Sequence, residues 1–233
     1  ELYSDTEQAM VEKKARGQAD FIEYFGKQAA KRHKNDSKSI GVNWDRAHDL
    51  LKIFTKDKPL PFAQIDMHLI ESFRDFLLKA PRGGNKSGTI SQNTASTYFT
   101  LFKAALHQAF IDSYFDVDIA AKVKGISGVE SRREYLTIEE LNKLAATPCE
   151  YPMLKKAAFF SALIGLRHSD IRKMTWKELS VEGDHYRINF TQRKTGGVEY
   201  MPISEQAYLI CGEPAEPDRL VFEGLQDPSW INR

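Results

Sequence analysis

The chain has 233 residues, room for one large domain or two small ones, and at 42% hydrophobic it can bury a core. A formal net charge of +1 gives no global sign of a polyanionic partner, and two distant cysteines, Cys149 and Cys211, with no C-x-x-C argue against a disulfide scaffold or a zinc ribbon. The first residues, from Glu1 to Asp5, do not read as a signal peptide, and the longest apolar run, near 157–166, is too short to span a bilayer; the chain reads as soluble and cytoplasmic.

The first ten or so residues are polar. A helical pattern follows with Phe21, Ile22, Phe25 and Ala29 on one face. Ser37-Lys38-Ser39 breaks it. A second helix carries Trp44, Ala47, Leu51 and Phe54 and stops before Pro59 and Pro61. Asp66 is placed as the cap of a third helix with Ile70, Phe73, Phe76 and Leu77. Residues 81–88, Pro-Arg-Gly-Gly-Asn-Lys-Ser-Gly, read as a flexible basic loop. Ser91 then caps a long helix through Tyr98, Leu101, Phe102, Ala105 and Phe110. About four helices with short joints predict a bundle over residues 1–127.

Local charge is more informative than the total. The 36 positions between Asp75 and Asp112 hold no acidic residue but include Lys79, Arg82, Lys86 and Lys103. By simple proportion, about five acids would be expected there. The last thirty residues lean the other way, with Glu205, Glu213, Glu216, Asp218, Glu223 and Asp227 against Arg219 and Arg233.

Residues 128–134 read as a linker, with Arg132 and Arg133 in it. Beyond it, Thr137-Ile138-Glu139-Glu140 is a capping box, and two helices lead to Gly165. A glycine just past a helix end takes the left-handed state that stops the helix, and the chain then presents Arg167 from a stiff turn. Short strands are expected around 179–181, 186–190 and 198–201, separated by Gly183-Asp184 and Gly196-Gly197 turns. Tyr200 and Tyr208 read as packing residues of hairpin and helix. Ser204 opens another helix, and 213–217 is a proline-rich connection. Ser229 is placed as a cap just before the chain ends, so the sequence reads as an excised fragment.

The stretch Gly165-Leu166-Arg167-His168-Ser169-Asp170, followed 27 positions after the arginine by Lys194 beside Gly196-Gly197, resembles the catalytic domain of the tyrosine recombinases, the phage-integrase type of DNA strand-exchange enzyme. The helical region upstream resembles that family's core-binding domain. The resemblance implies a mainly α fold with a small antiparallel sheet: a helical SAM-like core-binding domain over 1–127 and a truncated α+β catalytic domain over 135–233. It implies that Arg167 binds a non-bridging oxygen of the scissile phosphate and that Lys194 protonates the leaving 5′ oxygen. Asp170, one helical turn from Arg167, is cast in support. Arg193 is the adjacent competitor for the lysine's role, since side chains alternate across a strand. Double-stranded DNA is the implied partner, gripped by two domains closing around it, with four protomers exchanging strands and no metal or other cofactor.

The family's remaining machinery has no counterpart here. None of the six histidines stands in an H-x-x-R box, and none of the nine tyrosines follows one. The fragment is therefore expected not to cleave DNA by itself. For DNA contact, Asn85, Lys86, Ser87, Ser91 and Asn93 crowd the start of a helix whose amides can meet phosphate; Tyr98 and Lys103 follow on that helix, and Arg132 and Arg133 reach from the linker. Taken singly, each of these residues is equally well explained as a solvated loop or cap residue. Two non-enzymatic readings stand beside the recombinase: a helical DNA-binding or architectural module, and a helical protein-interaction domain.

Overall fold

A computed structural model describes residues 5–35, 38–83, 87–130, 134–191 and 196–227. The chain divides into two compact units, Glu1–Arg133 and Glu134–Arg233, each with its own apolar core.

The first unit is all helical. It comprises α1 (Asp5–Gln18), α2 (Phe21–Asn35), α3 (Lys38–Thr55), α4 (Met67–Leu77), α5 (Gln92–Ile111) and the short α6 (Ile119–Lys122), with a 3₁₀ turn at Phe62–Gln64. The polar first residues carry α1, a helix that apolar periodicity does not reveal. It docks through polar contacts: Lys13 Nζ lies 2.6 Å from Asp116, and Arg16 donates to the Ser113 carbonyl. The other helices begin where sequence chemistry places them. The carboxylate of Asp20 accepts from the N–H groups of Ile22 and Leu60, starting α2 and pinning the chain beyond α3. Asp66 accepts from Leu69 N–H, and Ser91 from Thr94 N–H. Each satisfies an N–H that helix geometry leaves without a partner.

The core of this unit is aromatic. Phe21, Phe25, Phe73, Phe99 and Phe102 are fully buried, with the Phe73 and Phe102 rings 4.7 Å apart. Phe102 sits mid-way along α5 and also meets Phe21 and Phe25. Truncating it to alanine would cost about 3–5 kcal/mol. This packing joins α2 and α4 to α5, and Trp44 brings α3 onto Phe25, so side chains on the outer faces of α3 and α5 are held on stiff supports.

The second unit holds α7 (Ile138–Ala146), α8 (Pro152–Ile164), α9 (His168–Ile171), a 3₁₀ turn (Trp176–Glu178), strands β1 (Leu179–Glu182), β2 (His185–Thr191) and β3 (Val198–Ile203), and α10 (Glu205–Cys211). The strands form one antiparallel sheet in the order β1-β2-β3. The last β2–β3 register pair is Thr191↔Val198. Along β2, Ile188 and Phe190 are buried while Arg187, Asn189 and Thr191 are exposed, the alternation of a half-buried strand. Pro202 is tolerated because β3 is an edge strand, where a missing N–H breaks no interior ladder. The core joins Phe160, Ile171, Met174 and Trp176 to Ile188, Phe190 and Phe222. Tyr208 packs on Tyr186, with ring centroids 4.8 Å apart. Tyr200 does not pack as expected: it is 76% exposed on the outer side of β3, because its register position opposite Asn189 puts it on the solvated face. Both cysteines are free thiols.

Candidate functional site

The arginine box is built from the end of α8. Ala157 and Phe160 anchor that helix in the core. It stops at Gly165, whose φ of 73° is the left-handed state expected of a glycine there. Gly165 N–H donates to the Ser161 carbonyl at 2.8 Å, and the Ser161 hydroxyl reaches forward to the Leu166 carbonyl at 2.8 Å. Leu166 is buried, and the next residue, Arg167, is exposed. Arg167 takes extended backbone at the N-cap position of α9, and its carbonyl accepts from the N–H groups of Asp170 and Ile171. The guanidinium is thus delivered from a turn fixed on both sides. Asp170 is buried at 2% exposure in the first turn of α9. The ring nitrogens of His168 are shielded from solvent and meet no hydrogen-bond partner among the described residues, which is uncommon for buried polar atoms.

Lys194 and its neighbour Arg193 lie outside the described residues. The strands that lead to and from them, β2 to Thr191 and β3 from Val198, are described and paired. Lys173, two positions beyond α9, donates to the Thr191 carbonyl. The segment just after α9 is therefore tied to the end of β2. Sequence reading gave Lys173 no role, because its partner is a main-chain atom on a distant strand. The acidic lean of the last segment also finds an explanation: Asp227 pairs with Arg172 at 2.7 Å, Asp218 with Lys177 at 2.6 Å and Glu223 with Arg219 at 2.7 Å.

In the helical unit the expected DNA contacts separate. Asn85, Lys86, Arg132 and Arg133 lie outside the described residues, and Ser87 is exposed. Ser91 and Tyr98 line one cleft, together with Arg46 and Arg82. Asn93 and Lys103 are engaged within the unit. The Asn93 side chain accepts from Val129 N–H at 2.8 Å and donates to the Val129 carbonyl at 3.0 Å. Lys103 donates to the Val123 carbonyl at 2.6 Å. Among the described residues no cluster of histidine, cysteine or acidic side chains has metal-binding geometry, and no helix is long and apolar enough to cross a membrane.

A family model, the phage integrase SAM-like domain, matches residues 20–124. The match takes in α2 to α6, and α1 lies before it. Among solved structures, a lambda integrase dimer bound to a COC′ core site matches with a TM-score of 0.61 at 15% identity, covering 97% of this chain and 64% of that one. A lambda integrase tetramer bound to a Holliday junction matches with a TM-score of 0.59 at 16% identity, covering 86% of this chain and 55% of that one. Lambda integrase residues 75–356 bound to DNA match with a TM-score of 0.56 at 17% identity, covering 84% and 67%. At these identities the likeness is one of fold, and this chain spans about two thirds or less of the integrase chains. No curated protein matches the sequence. The helical unit is thus similar to the phage integrase SAM-like domain, and the chain as a whole shares its fold with lambda integrase.

Proposed function

We propose that this chain carries the DNA-binding unit and the arginine–lysine part of the catalytic unit of a site-specific tyrosine recombinase. The observation that carries the reading is the delivery of Arg167, an exposed cation on a turn locked by Gly165, Ser161 and α9. The SAM-like domain match and the integrase-like fold add to it.

In this reading the Arg167 guanidinium binds a non-bridging oxygen of the scissile phosphate and stabilises the charge that grows as phosphorus becomes pentacoordinate. Asp170 holds the box in order from its buried position. A tyrosine hydroxyl attacks phosphorus, the bond to the 5′ oxygen breaks, and Lys194 gives that oxygen a proton so that no free alkoxide has to leave. A 3′-phosphotyrosyl link results. The tyrosine and the H-x-x-R box that this step needs have no counterpart in these 233 residues. These 233 residues are therefore expected to bind duplex DNA without cleaving it, with cleavage belonging to the full-length protein, working as a tetramer on two duplexes. The test is Arg167→Ala in the full-length protein. Duplex binding should persist while strand cleavage falls by about a hundredfold or more; unchanged cleavage refutes the role.

The missing box also favours a second reading, a helical DNA-binding module without catalysis. The reading frame beyond Arg233 separates the two: an H-x-x-R box followed by a tyrosine supports the enzyme, and a stop codon supports the module.

A further inference from the structure

The helical unit has a cleft of about 380 Å³ between α3, the 81–83 turn and the start of α5. Two arginines from separate elements line it, and each is held by a main-chain carbonyl. Arg46, on α3, donates to the Pro81 carbonyl at 3.1 Å. Arg82 donates through Nε to the Thr89 carbonyl at 2.9 Å, across the short bridge that pairs Pro81 with Thr89. One donor of each fork is thus used to fix the side chain, which leaves most of each guanidinium for a ligand. Opposite them, Ser91 and Thr94 share a hydroxyl–hydroxyl bond of 2.8 Å, and Ser91 also accepts from Thr94 N–H. Half-buried Tyr98 completes the lining. Residues 76–111 contain no carboxylate, whereas on α3 Arg46 stands between Asp45, which pairs with His33, and Asp49.

Gly83 shows how closely the cleft is fitted. A Cβ there would lie 3.1 Å from Arg46 Cζ and 3.2 Å from its Nε. The guanidinium lies over bare backbone, and a Cβ at 83 would force it to give by a few tenths of an ångström.

We infer that Arg46 and Arg82 together hold one backbone phosphate of duplex DNA, with the Ser91–Thr94 hydroxyl pair as the neutral side of the same site. Paired guanidiniums with hydroxyl donors match a phosphodiester in charge and donor geometry. The site rests on the reading of this unit as DNA-binding and assigns its ordered cations, neither of which needs residues 84–86.

The experiment is a titration of the 233-residue chain with a labelled duplex across a salt series. Arg46→Ala and Arg82→Ala should each weaken binding and make the log-affinity against log-salt slope shallower by about one, the loss of one phosphate contact. Because the two arginines share a phosphate, the double variant should lose no more slope than either single one. Gly83→Ala, which removes no charge, should weaken binding with an unchanged melting temperature. Melting curves of all four variants show whether folding is preserved. Wild-type binding with unchanged slopes in the variants overturns this site alone. A double variant that loses twice the slope overturns the shared phosphate. A wild-type chain that binds no duplex at low salt removes the DNA reading and the site with it.

Discussion

Single side chains set the tolerances of this protein. Tyr24 donates to Asp112 Oδ2 at 2.6 Å, joining α2 to the end of α5. This bond is the main cause that holds the Asp112 carboxyl below its ordinary range, while burial, then Asp112, push the Tyr24 hydroxyl up. A carboxylate depressed in the folded state stabilises above its unfolded pKa, and that share is lost as pH falls through the folded value. Tyr24→Phe should therefore cost about 1–2 kcal/mol near neutrality, and its deficit against wild type should shrink as pH falls below about 4. Acid and urea titrations of the two proteins measure this; a deficit constant through the acid range contradicts it. Gly165 makes a separate prediction. Its φ of 73° suits glycine, and no neighbour lies within 4 Å of where a Cβ would stand, so Gly165→Ala should cost about 1–2 kcal/mol from backbone strain alone, read as a lower melting temperature. Caps such as Asp66, Ser91 and Thr137 are legible in the sequence because their partners lie three residues away. The partners of Asn93 and Lys103 lie 36 and 20 residues away, and no local pattern announces them.

At the scale of elements, legibility follows the source of stability. Helices α2 to α5 bury an apolar face and show it as periodicity. Helix α1 has little apolar content, so its polar sequence hides it. The three strands are legible from alternation between glycine turns, whereas the one-turn helices α6 and α9 are too short to have a period. Helix α7 is a special case, since none of its residues is buried. It is held by its ends. Thr137 and Glu140 form a reciprocal capping box, and Lys155 donates to the Ala145 and Thr147 carbonyls at the other end. Thr137→Ala should remove about 1 kcal/mol of this. Amide exchange in 139–146 should quicken by about fivefold, with global melting nearly unchanged. A large drop in global melting would show that α7 is integral to the core.

For the whole molecule, composition is a poor guide to function because opposite charges are sorted rather than absent. Acids gather in 213–227 and pair there with Arg172, Lys177 and Arg219, while Arg82 of the helical unit's cleft sits in acid-free sequence. A net charge of +1 averages the two. Arg46 is not legible as a neighbour of Arg82 and Ser91 in the sequence, because α3 is an ordinary amphipathic helix there; the fold brings the three to one cleft. Arg167 was legible because its turn is written locally, glycine first. The central proposal is chemical: Arg167 would stabilise charge on phosphorus, and Lys194 would protonate the departing oxygen. The most direct measurement is cleavage by the full-length protein of a duplex whose scissile 5′ oxygen is replaced by sulfur, a leaving group that needs no proton. Lys194→Ala should be slow on the oxygen substrate and close to wild type on the sulfur one, while Arg167→Ala stays slow on both. Equal rescue of both variants, or rescue of neither, would contradict the account.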